Sequence, residues 1–244
     1  MRIVATVQAR MRSERLPNKV LLPILDRPNL VLMVERLQRV PSVDAIVIAT
    51  TDHESCDPIE ALANDLGVGC FRGSEDDVLD RVLRASREAD ADLIVETTGD
   101  CPLIDPPTVE KVIQAFRGAD VDYCSNILRR TYPRGLDTQV FPLSVLEEVA
   151  RRTDDPADHE HVSLYIYEKP GRFRLLNVES GYGPEVADLR LTVDTPDDLT
   201  LVRTIYEELY PKKPDFVLAD ILALFERRPE LADINRDIKQ KSVR

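Results

Sequence analysis

The stretch Arg2-Ile3-Val4-Ala5-Thr6-Val7-Gln8-Ala9, followed at once by Arg10, Arg12, Arg15 and Lys19, decides how the chain is read. Its first half is a short apolar run of strand type. Its second half is a block of positive charge in an acidic protein. Residues 1 to 39 hold eight Lys or Arg against three acids, a surplus of five charges, whereas the whole chain of 244 residues carries a formal net charge of -12. A reversal of charge sign just beyond a first β-strand lies where open α/β sheets bind ligands, outside the carboxyl ends of their strands. The anion expected there is phosphate.

Working outward from this strand, Val- and Ile-rich runs recur at Ile3 to Val7, Ala45 to Thr50, Gly69 to Phe71, Leu93 to Thr97 and Val121 to Ser125. Between them, apolar residues fall three and four apart, as in Leu30-Met33-Val34-Leu37, Ile59-Leu62-Ala63-Leu66, Val78-Leu79-Val82-Leu83 and Val109-Val112-Ile113-Phe116. That spacing predicts amphipathic helices. Repeated β-α-β units imply a mainly parallel, mixed sheet covered on both faces, a three-layer α/β/α sandwich. The length suits one domain, spanning 1-244. Beyond about residue 127 the alternation breaks into an irregular insert reaching to about 180. Here the pattern predicts an extended run Leu136 to Phe141, helices over Leu143 to Arg151 and Asp158 to Tyr167, and strands over Phe173 to Val178 and Asp188 to Val193. A last helix opens at Pro196, with Asp194 or Thr195 as its cap. The tail, Lys239 to Arg244, is expected to fray.

Composition excludes several classes. With 43% apolar and 31% charged residues the chain reads as an ordinary globular protein. The acidic balance argues against broad attraction to nucleic acid, so the basic block points to a small anionic ligand. No apolar run reaches membrane-spanning length and no signal-peptide pattern precedes the first strand, which makes the cytoplasm the default compartment. Cys56, Cys70, Cys101 and Cys124 form no C-x-x-C pair, so neither a zinc knuckle nor a dithiol site is indicated, and buried reduced thiols are expected.

The loop from Gln8 to Leu21 contains no glycine. This excludes the Walker A loop and the dinucleotide fingerprint, in which glycines let backbone amides approach phosphate. Side chains must supply the charge: an Arg fork clamps two phosphate oxygens, and a Lys offers a mobile point charge. Asp100 follows an apolar strand, with Gly99 before it and Pro102 shortly after, and reads either as a magnesium ligand or as a turn residue. Asp194 ends another strand candidate and reads as a second ligand for the same metal or as a cap for the helix at Pro196. Asp105 before Pro106-Pro107 reads as an N-cap. Asp197 and Asp198 read as first-turn acids complementing the helix dipole. Arg134, in Tyr132-Pro133-Arg134-Gly135, reads as a clamp for a carboxylate or as a structural turn residue. His53, His159 and His161 read as turn, structural or interface residues, or, for His53, a ligand contact. Asp90-Ala91-Asp92 and Asp120-Val121-Asp122 spell D-x-D, the metal motif of a glycosyltransferase, but both precede strands rather than follow them.

Taken together, Gln8-Ala9-Arg10 through Arg15-Leu16-Pro17-Asn18-Lys19, Thr51-Asp52-His53, Gly99-Asp100-x-Pro102-Leu103-Ile104 and Val193-Asp194-Thr195-Pro196-Asp197-Asp198-Leu199 resemble the sugar-acid cytidylyltransferases. The resemblance covers most of the chain. It extends to the 3-deoxy-manno-octulosonate and acylneuraminate cytidylyltransferase group and is closest to the SpsF-like branch for spore-coat polysaccharide. In that branch Arg72-Gly73-Ser74-Glu75-Asp76-Asp77-Val78-Leu79-Asp80-Arg81, Tyr132 to Asp137 and His159-Glu160-His161-Val162 look familiar as well. The resemblance implies a nucleotide-diphospho-sugar transferase-like fold and transfer of CMP from CTP to a sugar, with pyrophosphate release and Mg2+. It implies that Arg10, Arg15 and Lys19 hold the CTP phosphates and Asp100 and Asp194 hold magnesium. Gln8, Ala9 and Arg10 would border the cytosine, with Asp80 and Arg81 near the base, and the insert would serve acceptor binding and a homodimer. At Cys101 the octulosonate enzymes carry an acid, so the chain departs from them beside the metal position. The rivals are a glycosyltransferase of similar architecture and a noncatalytic nucleotide-binding protein.

Overall fold

The computed structural model describes residues 1–240. Its centre is β1 (Ile3–Gln8), hydrogen-bonded on one side to β4 (Ala45–Thr51) and on the other to β6 (Leu93–Thr98), both parallel to it. A small ribbon, β2 (Pro23–Ile24) and β3 (Arg27–Pro28), lies apart. The sheet is completed by β5 (Gly69–Gly73), β7 (Tyr123–Ser125), β8 (Gln139–Pro142) and β9 (Leu175–Asn177) in the order β5-β4-β1-β6-β8-β7-β9. Only β8 runs antiparallel to its neighbours. From β1 the chain moves outward to β4 and β5, then returns to the other side of β1 as β6. The strand order therefore reverses between β1 and β6, which opens a crevice at their carboxyl ends.

The central strands are apolar throughout because helices cover both faces. Ile3, Ala5 and Val7 point into a core shared with α1 (Asn29–Leu37), α2 (Asp57–Asp65) and α4 (Pro106–Arg117). Val4 points the other way, into a core with α3 (Val78–Glu88), α5 (Leu143–Arg152) and α7 (Leu164–Tyr167), and α6 (Pro156–Glu160) lies against α3. A third apolar cluster joins Leu191 and Val193 to α9 (Pro196–Leu209) and α10 (Leu218–Arg227); a single helical turn, α8 (Pro184–Ala187), precedes this region. Asp77 caps α3, and Asp105 caps α4 as expected, its side chain accepting from the Thr108 amide. No helix among the described residues is long and apolar enough to cross a membrane.

Two expectations change, and one choice left open is settled. The segment Asp188 to Val193 is not a strand. Its backbone bonds are divided between two loops: Arg134 N–H donates to Leu189 O, Leu191 N–H to Arg134 O, and Val193 N–H to Asp100 O. The helix expected over Asp158 to Tyr167 is two short helices, broken where Val162 adopts φ 47° while its side chain is fully buried. Thr195, not Asp194, caps α9, in a reciprocal capping box with Asp198. Of the tail, residues 241–244 lie outside the described residues, while Gln240 Oε1 accepts from Arg190 at 2.7 Å.

Gly135 makes the junction between the two loops possible. It sits at φ 97°, and a Cβ there would lie 2.5 Å from the Leu191 carbonyl. Gly135→Ala combines a left-handed residue, costing about 1–2 kcal/mol, with an overpacked contact costing about 1–3 kcal/mol. We expect it to lower unfolding free energy by about 2–5 kcal/mol in urea titration; a change under about 0.5 kcal/mol would show that the loops are not held together here.

Candidate active site

At the carboxyl end of β1 the chain turns back through a loop tied by the Asn18 amide donating to Met11 O at 2.9 Å. Asn18 takes the left-handed conformation, φ 58°, and starts a short 3-10 turn, Lys19–Leu21. Buried Asn29 at the start of α1 donates to Lys19 O and fixes that turn. The outcome is a lysine whose ammonium is aimed at the β1–β6 crevice.

Lys19 Nζ donates to Asp100 Oδ2 at 2.6 Å and to Asp194 Oδ1 at 2.7 Å. Asp100 reaches this point because Gly99 lets the β6 loop run close beside β1: its amide donates to Gln8 O at 2.7 Å, and a Cβ on it would press on Gln8 O and Ala9. Thr98 Oγ1 and the Cys101 thiol donate to the other oxygen of Asp100. Burial alone would raise the Asp100 carboxyl, but the Lys19 charge and these donors outweigh it and hold the pKa at about 2. Burial works against the charged Lys19 too, and the two aspartates reverse that, raising it to about 12. Cys101 is a neutral donor here: burial and then the Asp100 charge push its thiol well up.

Asp194 is held more tightly still. Its second oxygen accepts from Arg190 at 2.6 Å and lies 2.9 Å from an Arg15 nitrogen. Arg190 also donates to Asp198, whose remaining oxygen accepts the amides of Asp194 and Thr195. Asp198 is thus fully buried and paired, so it does more than complement the helix dipole; Asp197 is an exposed first-turn acid. The arrangement fits a divalent cation in its donor set: one oxygen from each of two carboxylates, drawn from different loops, converges on one cation. That number suffices for magnesium, which takes its other ligands from water and phosphate. No group of three or more His, Cys, Asp or Glu suited to a metal occurs among the described residues.

The basic block divides. Arg15 and Lys19 face the aspartates, whereas Arg10 and Arg12 turn to Glu75, at 4.0 and 3.4 Å, and Arg12 also meets His53 Nε2 at 2.7 Å. Glu75 is positioned from beneath: Arg81 is buried and donates to the carbonyls of Ser74 and Glu75. Burial and then Arg10 lower the Arg81 pKa. Asp80, on the first turn of α3, is partly exposed and sits beside Arg84. His159 bonds to Asp77 and to Thr153 O, a structural role. Ala9 is buried, and its amide donates to Ala49 O, across the β1–β4 step of the sheet.

Arg134 has no carboxylate partner among the described residues. Its pKa is lowered by burial and then by Arg130, which is itself paired with Asp137. Asp137 also attracts it, without an ion pair to it among the described residues. Both D-x-D pairs lie at the opposite edge of the sheet, where Asp92 accepts from the Arg2 amide and Asp122 binds Arg174. Missed by the sequence reading is Glu96, a carboxyl buried in β6 whose oxygens accept from Gln8 Nε2 at 2.7 Å and Gln139 Nε2 at 3.2 Å. Burial raises it to about 8, with the neighbouring Ser163 and Gln8 side chains working against that rise. The signal was an acid inside the otherwise uncharged run Leu93 to Thr97.

Comparison with known proteins gives the family. The spore coat polysaccharide biosynthesis protein SpsF of Bacillus subtilis is 32% identical over 237 residues, 94% of this chain and 96% of its own. The 3-deoxy-manno-octulosonate cytidylyltransferase of Syntrophobacter fumaroxidans is 29% identical, covering 83% of this chain and 96% of its own. A solved cytidylyltransferase structure from Leptospira borgpetersenii superposes with a TM-score of 0.90 at 30% identity, covering 99% of this chain and 100% of that one. The sequence profile described as cytidylyltransferase matches residues 4–225, and the chain belongs to that family.

Proposed function

We propose that the protein transfers CMP from CTP to a sugar acid or related glycose, with release of pyrophosphate and dependence on magnesium, for surface polysaccharide synthesis. The observation that carries this reading is the convergence of Lys19 and Arg15 on Asp100 and Asp194 at the β1–β6 crevice. A triphosphate offers Lys19 and Arg15 anionic oxygens to exchange for their carboxylates. Arg10, half-exposed at the rim, is placed to join them. Magnesium, held by Asp100 and Asp194, would offset charge on the phosphates. The acceptor hydroxyl attacks the α-phosphorus and gives up its proton to solvent; a P–O bond forms to the acceptor and the bond to the β-phosphate oxygen breaks, with its electrons leaving on pyrophosphate. Lys19, Arg15 and Arg10 stabilise that charge, so positioning and electrostatics supply the acceleration. The similarity to an octulosonate cytidylyltransferase supports a carboxylate-bearing acceptor, and Arg134 supplies a guanidinium for it.

The insert supports a homodimer. Of its five aromatic residues, Tyr132 and Phe141 fill the chain's own core, while Tyr165, Tyr167 and Phe173 keep exposed surface. Light scattering is expected to return about twice the 27.6 kDa of one chain; a monomer at micromolar concentration would sink the dimer.

The nucleotide is tested by thermal shift. CTP with magnesium should raise the melting temperature more than ATP, GTP or UTP does, because a ligand of the native state alone stabilises it by mass action. A larger shift with GTP or UTP would overturn the base.

A variant series separates the roles. Lys19→Ala should cut pyrophosphate release by about two to three orders of magnitude, the range for losing one preorganised electrostatic group, with a smaller loss of CTP affinity. Asp100→Asn and Asp194→Asn should raise the magnesium needed for half-maximal rate. Arg134→Ala should raise the acceptor KM by about 10-fold or more, as for a lost charge-assisted hydrogen bond, and leave the CTP KM alone. If the Lys19 and Asp variants only unfold the protein, with turnover per folded molecule unchanged, the cluster is structural.

A further inference from the structure

Gln8, on the same face of the sheet as Glu96 and Thr98, ends β1 and is partly exposed at the crevice. Its amide has a defined direction. Nε2 donates inward to Glu96 Oε1, so Oε1 of Gln8 is the atom left for the crevice, with no partner among the described residues. Glu96 is itself fixed from the far side. Tyr123 Oη and Ser163 Oγ each donate to Gln139 Oε1 at 2.6 Å, which obliges Gln139 to turn its Nε2 toward Glu96 Oε2. Ser163, its own proton given to Gln139, adjoins the Glu96 carboxyl and retains lone pairs, so a proton on that carboxyl can point to Ser163 and leave Gln8 donating inward. The chain strains its backbone here: Val162, β-branched and buried, holds a positive φ in the break that precedes Ser163.

We propose that Glu96 is a positioning residue for base selection: by holding the Gln8 amide nitrogen inward, it presents the Gln8 carbonyl oxygen to the 4-substituent of a pyrimidine, accepting from the amino group of cytosine and opposing the oxygen of uracil. This rests on the cytidylyltransferase reading above and goes further by naming what separates CTP from UTP. An acceptor facing an acceptor leaves both unpaired in a desolvated site, which discriminates more strongly than the gain of one good bond.

The test is binding of CTP and UTP, each with magnesium chloride, by calorimetry to wild type, Glu96→Gln, Gln8→Ala and the double variant. An amide at position 96 would offer Gln8 both a donor and an acceptor, freeing the Gln8 side chain to turn. Glu96→Gln should therefore reduce the CTP-over-UTP ratio by about tenfold, mainly by tightening UTP, while general loosening of the site would weaken both nucleotides together. Gln8→Ala should lose the same discrimination, and the double variant should lose no more. Should Glu96→Gln fail to fold, Gln8→Ala decides alone. A wild type without CTP preference would refute the base assignment itself; a wild type that prefers CTP, with either variant keeping the ratio within about twofold, would overturn only the role given to Glu96 and Gln8.

Discussion

The ammonium of Lys19 is the point on which three distant parts of the chain meet. Asp100 is 81 residues away and Asp194 is 175 away, yet both carboxylates lie within 2.7 Å of it. Removing such a cation from a largely buried site leaves two acids facing each other, and breaking a buried pair costs about 3–5 kcal/mol. Desolvation offsets much of what the intact cluster gains, so the ion pairs are better credited with register than with stability. Stability comes from the apolar contacts beside them: Leu103, Leu191 and Val193 pack with α9 and α10 in one cluster. Burial brings the carboxyl-terminal helices to the sheet, and Lys19 selects the one docking in which Asp194 faces Asp100.

This division explains what could be read from sequence. β1, β4 and β6 were legible because strands covered on both faces are continuously apolar, and α1 to α4 because a half-buried helix repeats every three to four residues. Lys19 and Asp100 were legible as residues placed beyond the ends of those runs, whereas Asp194 was singled out at the end of a strand that does not form. The segment Asp188 to Val193 has the composition of a strand, but its hydrogen bonds go to Arg134 and Asp100, and composition does not name a partner. The break at Val162 runs against local preference, since a β-branched residue rarely takes positive φ; tertiary burial decides it. α10 escaped notice although Leu218, Ile221, Leu224 and Phe225 fall at helical spacing.

The Glu96 network was hidden for a different reason. Gln8 and Glu96 lie on adjoining strands, and Gln139 joins them only because β8 enters the sheet antiparallel, between β6 and β7. Nothing in the local pattern of residues 136 to 142 sets that position. A carboxyl inside an apolar strand is nevertheless a local sign that partners exist, because an unpaired buried acid is too costly to keep. The partners here are amides and hydroxyls, which hold direction without adding charge, and that suits a face of the sheet on which a base rather than a phosphate would lie.

The basic block lies beside the β1–β6 crevice, and its charge is not free. Arg10, Arg12, Arg15 and Lys19, with Arg190 beside them, are met by Glu75, Asp100, Asp194 and Asp198, so five cations face four carboxylates. A positive hole would attract any anion. A cluster already paired releases its cations only to a ligand that replaces several carboxylate contacts at once, and a single carboxylate or monophosphate cannot do so while a chain of phosphates can. On the proposed reading, releasing Lys19 would also uncover Asp100 and Asp194 for a divalent cation, which would couple the two charges: the ligand that best compensates the basic residues would be one that arrives with a metal for the acids.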